Sequence, residues 1–210
     1  MTARRIVVAT GNAHKLAEIE RLLAEAIPAV ADGALELVAM TDLDVPTPVE
    51  DGDTFEANAL LKARACVAAT GLPAIADDSG IEVDALGGAP GVRSARYAGG
   101  DATDADNNTK LVDALGATPP EQRTGRFVCA AALVTVEGEE ITRRGTMEGR
   151  VVDGPRGTNG FGYDPYFVAD ATADGRTNGE LSAEEKDAIS HRGAAFSSLA
   201  EDVGRWLADG

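Results

Sequence analysis

Apolar and polar positions along the first part of the chain follow two periods, one typical of buried strands and one typical of helices. Ile6 to Thr10 is a β-branched apolar run that ends at a Gly-Asn pair, which predicts a buried strand followed by a turn. From His14 to Ile27 the apolar residues keep the spacing of one helical face, and Pro28 ends the pattern. Leu35 to Met40 predicts a second strand, so the chain opens as strand, helix, strand.

The middle of the chain repeats this alternation. Asp42 to Asp53 is an acidic, proline-containing stretch without periodicity, which predicts a loop. A helix is predicted from Thr54 to about Thr70, with Asp53 and Glu56 as a capping pair and Gly71-Leu72-Pro73 as its end. Ala74 to Ala76 predicts a further strand. Strands that alternate with helices indicate an α/β fold with some parallel pairing.

The second half of the chain adds an antiparallel section, because two strand-like runs flank a Glu-Gly turn as the arms of a hairpin do. We therefore predict an α/β fold with a mixed central β-sheet flanked by helices. The further predicted elements are a glycine-rich ordered loop over 85–100, a helix from Ala102 to Leu115, hairpin arms from Thr124 to Val136 and from Glu139 to Met147, a glycine-rich loop from Asp153 to Asp164, a short helix opened by the capping box Ser182-Ala183-Glu184-Glu185, and a last helix whose core face carries Phe196, Leu199, Val203, Trp206 and Leu207.

The length and the net charge of the chain limit the number of lobes and the classes of partner that we expect. A chain of 210 residues can bury one large core, or two modest lobes that face each other. The formal charge of −16 repels polyanions, so nucleic acid is not an expected partner. A small phosphorylated substrate remains possible, because a few basic residues gathered in one pocket, together with a divalent cation, outweigh a distant field.

We predict a cytoplasmic protein, because the sequence shows no signal-peptide pattern, no stretch long enough to span a membrane and no metal-type spacing of cysteines. The apolar run Ile6 to Ala9 is too short for the hydrophobic part of a signal peptide. The longest apolar stretch, Phe127 to Val136, is about half of the roughly 20 residues that span a bilayer. Cys66 and Cys129 have no metal-type spacing and are expected to be small buried hydrophobic residues of a reducing compartment.

The first candidate site is the acidic segment Asp77-Asp78-Ser79-Gly80, predicted as a turn at the end of a strand. Neighbouring side chains of a strand point to opposite faces, so only one of the two aspartates readily enters a given cleft. Two adjacent carboxylates favour a hard cation such as Mg²⁺. A purely structural role remains the alternative, because Asp-Ser-Gly is common turn chemistry.

Two other enzyme classes use aspartates in related patterns. Asp78-Ser79-Gly80 matches the triplet of aspartic proteases, but the chain has one copy and would need a symmetric dimer. An aspartyl phosphotransferase needs two aspartates separated by one residue, and Asp77 and Asp78 are contiguous.

Three further segments carry candidate binding groups. Thr10 to Lys15 joins a strand to a helix, where backbone amides and a lysine can hold a phosphate, although a plain turn explains the same residues. The segment Gly157 to Asp164 presents Phe161 as a stacking surface for a base, or else tucks it into the core. Several of the chain's basic residues occur beside turns that could form a site. They are Lys15, Lys62, Lys186 and Arg192.

Taken together, these segments resemble the Ham1/RdgB family of inosine/xanthosine triphosphate pyrophosphatases over almost the whole chain. The matching segments occur in family order. They are Thr10-Gly11-Asn12 with Lys15, the stretch Glu56 to Ala63 that contains Lys62, Asp77 to Gly80, Leu86 to Tyr97, Phe161-Gly162-Tyr163-Asp164, and Ser190-His191-Arg192.

The resemblance implies one homodimeric α/β domain over residues 1–210, with two lobes around an active-site cleft. It implies hydrolysis of inosine, deoxyinosine and xanthosine triphosphates to the monophosphate and pyrophosphate, with Mg²⁺ as cofactor. Asp78 would be the proton acceptor and a metal ligand, and Glu50 the second metal ligand, although the family often has an acidic pair where this chain has Val49-Glu50-Asp51. Ser79 would contact the substrate. The residues implied around the triphosphate are Thr10, Gly11, Asn12, Ala13, His14, Lys15, Lys62 and Lys186, and those implied at the purine are Phe161, Gly162, Tyr163, Asp164, His191 and Arg192.

This assignment predicts both the reaction and its selectivity. In-line attack of water at the α-phosphorus releases pyrophosphate. A donor from His191 or Arg192 would face the 6-oxo group of the purine, whereas ATP would present its own amino group there and be rejected. A non-catalytic nucleotide sensor is the alternative of a different class, because it would bind the same ligands without turnover.

Overall fold

The computed structural model describes residues 3–209, which form six strands and six helices. The strands are β1 (Arg4–Val8), β2 (Leu35–Ala39), β3 (Ala74–Val83), β4 (Thr124–Val134), β5 (Glu140–Val151) and β6 (Phe167–Ala169). The helices are α1 (Ala13–Ala26), α2 (Pro28–Ala31), α3 (Phe55–Thr70), α4 (Asp104–Leu115), α5 (Ala183–Ile189) and α6 (His191–Asp209). Along the described residues, no helix combines the length and the apolarity needed to cross a membrane.

The strands form one sheet in the order β2-β1-β3-β4-β5-β6. β1 is parallel to β2, with Arg4 opposite Leu35, and it is also parallel to β3, with Val7 opposite Ala74. β5 and β6 are antiparallel. The predicted mixed sheet of an α/β fold is therefore confirmed.

The chain divides into two compact units, of which the first is drawn from Met1–Asp78, Cys129–Gly145 and Arg192–Gly210. Side chains of β1 alternate between two hydrophobic clusters of this unit, because successive strand residues point to opposite faces. Ile6 and Val8 pack with residues of α1 and α6, whereas Val7 and Ala9 pack with residues of α3. Helices thus cover both faces of β1, as the apolar run predicted.

The second unit consists of Ser79–Val128 and Thr146–His191. Its hydrophobic cluster joins the far half of β3 to α4 and to the strands β5 and β6. Phe127 and Phe167 meet edge to face in this cluster, with their ring centroids 4.9 Å apart. The cluster members are Ile81, Val83, Leu111, Leu115, Phe127, Met147, Val151, Tyr163, Phe167 and Ala169.

The largest difference from the sequence prediction concerns the segment from Asp77 to Gly80. We predicted a turn there, but β3 continues through it to Val83. Gly80 serves close packing, because a Cβ atom on it would lie 2.3 Å from the hydroxyl oxygen of Ser94. That hydroxyl oxygen accepts the backbone N–H of Ile81 at 2.9 Å. The aspartates therefore lie within a strand and not beyond its end.

Smaller differences concern helix ends. Pro28 does not simply end a helix, because it opens α2, where its missing N–H costs nothing. The cap of α3 is Thr54 and not Asp53; its hydroxyl oxygen accepts the N–H of Ala57 at 3.1 Å. The predicted loop over 85–100 contains two 3-10 turns, Asp84–Leu86 and Gly91–Arg96. The short strand β6 was not predicted, because three residues are too few to show a period.

Candidate active site

Asp77 and Asp78 lie side by side in β3 and contact different partners. Both are buried, with 0% and 5% of their surface exposed. Lys15 and Arg192 contact Asp77, whereas Asn58 and Lys62 contact Asp78. This division agrees with strand geometry, in which successive side chains leave on opposite faces.

Asp77 is held between two cations from two helices. Its Oδ2 lies 3.2 Å from the ammonium of Lys15 on α1 and accepts from Nη2 of Arg192 on α6 at 3.1 Å. The same guanidinium pairs with the carboxylate of Glu18, one turn after Lys15 on α1. Glu18, Arg192, Asp77 and Lys15 thus form a chain of alternating charge, in which the first three are buried and Lys15 is partly exposed.

The electrostatics of Asp77 keep it ionised. Burial alone would raise the pKa of this carboxyl, but the neighbouring cations, led by Lys15 and Arg192, outweigh burial and hold the pKa well below its usual range. Burial would also lower the pKa of Arg192, and the charge of Asp77 reverses that effect. The pair is therefore charged, and a carboxylate with so low a pKa is a weak base, which favours a structural role for Asp77.

Asp78 lies in a different environment. Its Oδ2 accepts from the side-chain amide of Asn58 at 2.9 Å, and its Oδ1 lies 3.6 Å from the ammonium of Lys62. That ammonium also lies 3.0 Å from Oε1 of Glu50. One lysine of α3 therefore brings together the two carboxylates that the sequence predicted as metal ligands.

The protonation of this group follows from its burial. Burial raises the pKa of Asp78 above its ordinary value, and the charge of Lys62 only partly offsets that effect. Burial alone would lower the pKa of Lys62, but the surrounding carboxylates outweigh it and raise the pKa. Asp78 is thus a stronger base than an ordinary carboxylate, which suits a proton acceptor.

The donor set determines which cation these residues can hold. Within residues 3–209, no group of three or more His, Cys, Asp or Glu side chains is arranged to hold a metal. The pair formed by Glu50 and Asp78 does not fit a closed structural site. It fits Mg²⁺, which binds one or two protein carboxylates and takes its other ligands from water and phosphate.

The predicted phosphate-binding segment opens α1 as expected, with one difference. Asn12 caps the helix, and its Oδ1 accepts the N–H groups of His14 at 2.9 Å and Lys15 at 3.2 Å. These two amides are therefore used within the protein, although we predicted them as free donors. Thr10 is buried, and its hydroxyl oxygen accepts the N–H of Asn12 at 3.2 Å. Ala13 and Gly11 are exposed.

The second unit holds the loop from Phe161 to Asp164 that was predicted at the purine, together with His191, whereas Arg192 belongs to the first unit. Asp164 connects this loop to Lys186, which was predicted at the phosphates. Its Oδ2 pairs with the ammonium of Lys186 at 2.6 Å and accepts the N–H of Phe161 at 2.9 Å. The same ammonium lies 5.1 Å from the centre of the Phe161 ring. Phe161 is half-buried and is not part of the hydrophobic cluster. The loop thus presents one aromatic face beside a buried ion pair.

Tyr163 is the residue of this loop that enters the core. It is buried, and its hydroxyl donates to the backbone oxygen of Ser94 at 2.8 Å. Burial raises its pKa, with smaller contributions from Tyr97 and Asp104. Gly162, beside it, donates to Asp104 at 2.7 Å and accepts from Asn108 at 2.8 Å. Hydrogen bonds therefore fix this part of the glycine-rich loop.

His191 and Arg192 begin α6, and both are buried. His191 stacks on Phe127, with a centroid distance of 4.9 Å and an interplanar angle of 18°. The guanidinium of Arg192 faces Asp77 and Glu18, so the structure shows an ion pair where we predicted a purine contact. Ser79 is half-buried in β3.

The sequence prediction missed two residues of this site. Glu18 lies three residues after Lys15 and four before Leu22, so it occupies the buried face of α1, and a charge on an apolar face was the available signal. Asn58 was part of a matched segment but was assigned no role. Its only signal was a polar residue between the core residues Phe55 and Ala59.

The mixed sheet and its helices make this chain an α/β protein. Its buried carboxylates beside lysines form a candidate site for a cation and a phosphorylated ligand. The model of the Ham1 family matches residues 6–202. The chain belongs to the Ham1 family, which confirms the resemblance described above.

Two relatives and one solved structure show how much of the chain the likeness covers. A dITP/XTP pyrophosphatase from Cutibacterium acnes is 50% identical over 200 residues, covering 95% of this chain and 96% of that protein. One from Symbiobacterium thermophilum is 48% identical and covers all of both chains. The structure of a HAM1 protein from Coxiella burnetii superposes with a TM-score of 0.84 at 42% identity, covering 96% of this chain and 99% of that one.

Proposed function

We propose that this protein is a Mg²⁺-dependent pyrophosphatase of inosine, deoxyinosine and xanthosine triphosphates, which it removes from the nucleotide pool. The observation that carries the proposal is the buried carboxylate of Asp78, fixed by Asn58 and faced by Lys62 and Glu50. The relatives described above are named for the same reaction. Their names come from proteins that align over at least 95% of this chain.

The residues of the first unit support attack at the α-phosphorus. Asp78 takes a proton from the attacking water, the new bond forms between the water oxygen and phosphorus, and pyrophosphate leaves with the bridging oxygen. Lys15 and Lys62 stabilise the negative charge on the leaving pyrophosphate. Glu50 and Asp78 would hold a Mg²⁺, which would neutralise charge on the phosphate oxygens.

Phe161, Asp164 and Lys186 of the second unit support recognition of the purine. Phe161 offers a ring face for stacking, and the ion pair between Lys186 and Asp164 fixes the backbone beside it. His191 or Arg192 would supply the donor for the 6-oxo group. Since Asp77 and Glu18 already contact the guanidinium, a purine contact from Arg192 would have to coexist with both ion pairs.

The test is pyrophosphate release from ITP, XTP, GTP and ATP, with and without Mg²⁺. We expect release from ITP and XTP that requires Mg²⁺ and far slower release from ATP. Binding without turnover would favour the nucleotide sensor instead, and equal rates on all four nucleotides would refute the selectivity. Light scattering and cell fractionation test the homodimer and the cytoplasmic location that we also propose.

A single substitution tests the catalytic role. Asp78→Asn removes the proton acceptor but keeps the size of the side chain, so kcat should fall by about 10²- to 10⁴-fold. Asp84→Asn is the matched control, because Asp84 directly follows β3 and pairs with Arg126 at the surface. Asp84→Asn should retain full activity. Retention of most activity by Asp78→Asn would remove Asp78 from the mechanism.

A further inference from the structure

Asn58 connects the loop that carries Glu50 to the carboxylate of Asp78. It lies in the first turn of α3 and is fully buried. Its Nδ2 donates to Oδ2 of Asp78 at 2.9 Å, while its Oδ1 accepts the backbone N–H of Gly52 at 2.8 Å. One side chain thus bridges the strand and the loop.

The chemistry of an amide suits this bridge. The backbone N–H of Gly52 needs an acceptor and the carboxylate of Asp78 needs a donor, and a primary amide offers both in one plane. An aspartate at position 58 would offer no donor when ionised, and it would place a second negative charge against Asp78. The orientation of the Asn58 amide therefore follows from its two partners.

Gly52 is the counterpart of Asn58 in the loop. A Cβ atom at this position would lie 2.7 Å from Oδ1 of Asn58 and 3.0 Å from the Cβ of Ala57. Those distances are too short for an undisturbed structure, so a glycine is what allows the loop to approach α3 closely. Because Gly52 is two residues from Glu50, this approach also fixes where the Glu50 side chain starts.

Lys62 completes the arrangement from the same helix. It lies four residues after Asn58, so the two side chains leave the same face of α3. Asn58 holds Oδ2 of Asp78, while Lys62 lies near Oδ1 and also contacts Glu50 at 3.0 Å. The helix thus supplies a neutral donor and a cation that together orient both carboxylates.

We propose that Asn58 is a positioning residue that sets the separation of Glu50 and Asp78, and thereby the cation affinity of this pair, with Gly52 as its partner. The identity of the cation rests on the proposed function. Groups that orient metal-binding carboxylates typically change metal affinity or activity by about 10- to 100-fold when they are removed. The bridge itself lies within the protein and forms before any ligand binds.

Two substitutions test the bridge from its two ends, each with a matched control. Asn58→Ala removes both hydrogen bonds, and Gly52→Ala pushes the loop away from the amide. Asn107→Ala is the control for the first, since Asn107 is equally buried and bridges the backbone of Ala95 and Ala98. Gly100→Ala is the control for the second, because a Cβ there meets no atom within 4 Å.

The measurement is Mn²⁺ binding to the nucleotide-free protein, followed by the electron paramagnetic resonance signal of free Mn²⁺. We expect Asn58→Ala and Gly52→Ala to raise the dissociation constant by about 10- to 100-fold, and both controls to stay within about threefold of the wild type. Amide hydrogen exchange of Gly52 in metal-free protein should be at least about tenfold faster in Asn58→Ala.

Wild-type affinity for Mn²⁺ in both test variants would overturn the proposal, as would unchanged exchange at Gly52 or a wild-type protein that binds no Mn²⁺. If Asn58→Ala does not fold, Gly52→Ala carries the test alone. The nucleotide assay on the same samples separates this inference from the function. Weaker Mn²⁺ binding by the variants, without turnover by the wild type, supports the bridge and refutes only the proposed reaction.

Discussion

Replacing Asp77 by asparagine should destabilise the protein strongly, although the change removes no volume. Asp77 is fully buried, and its Oδ2 neutralises both Lys15 and Arg192. Removing one partner of a buried ion pair leaves an uncompensated charge and costs about 3–5 kcal/mol. For a chain of this length, about 1 kcal/mol corresponds to roughly 2–4 °C, so the melting temperature should fall by about 6–20 °C.

The assay is reversible urea unfolding followed by circular dichroism, with Asp84→Asn measured in parallel. The Asp84 side chain is 44% exposed and lies 3.0 Å from Arg126, and surface pairs of this kind contribute about 0–1 kcal/mol. The same chemical change should therefore have very different effects at the two positions. A loss below about 1 kcal/mol for Asp77→Asn, or equal losses for both variants, would refute the reasoning about buried charge.

Three further outcomes follow from the structure. Burial raises the pKa of Cys66 to about 11 and of Cys129 to about 12. Iodoacetamide at pH 8 should therefore alkylate neither thiol until the protein is unfolded. Mass spectrometry measures the alkylation, and rapid labelling of the native protein would contradict the prediction. Gly162→Ala should cost about 1–2 kcal/mol of unfolding free energy, because the backbone there is left-handed. Gly157→Ala should cost more, because a Cβ on Gly157 would also lie 1.9 Å from a backbone oxygen. Urea unfolding compares the two variants, and equal losses would contradict the packing argument. Phe161→Ala should raise the KM for ITP by about 5- to 150-fold, because stacking of one base on an aromatic ring contributes about 1–3 kcal/mol to binding. Steady-state kinetics measures the KM, and an unchanged value would argue against stacking.

Much of the fold follows from local patterns, because the period of apolar residues reports which face of an element is buried. The core face of α6 is confirmed: Phe196, Leu199 and Val203 are fully buried, and Trp206 packs against them. The hairpin, the capping box of α5 and the burial of both cysteines are confirmed as well. Each of these features is encoded within a few neighbouring residues.

The path of the strand through the acidic segment could not be predicted locally. Asp-Asp-Ser-Gly has the composition of a turn, and local propensity therefore predicts one. What keeps the segment extended is its surroundings: Ser94 lies 13 residues further along the chain and accepts the N–H of Ile81. Strand structure of this kind depends on packing against distant residues more than on intrinsic preference.

The structure brings together several of the residues that the sequence proposed for the site, but their pairing was not predicted. Asp78, Glu50 and Lys62 come together as expected, yet the contacts of Asn58 and Glu18 reach across the chain. The hydrogen bond from Asn58 to Asp78 spans 20 residues, and that from Arg192 to Glu18 spans 174. The residues around a polar position on a helix do not indicate a contact with a residue far along the chain, so such contacts are seen only in the folded structure.

The contiguous aspartates resolve into two roles because the strand sends them to different sets of partners. At Asp77 the cations outweigh burial, the pKa is lowered, and the carboxylate stays ionised and unavailable as a base. At Asp78 burial outweighs the charges of Lys62 and Lys15 and the amide of Asn58, and the pKa is raised. The two adjacent carboxylates therefore differ in basicity: Asp77 pairs with Lys15 and Arg192, and the raised pKa of Asp78 supports the role of proton acceptor that we propose for it.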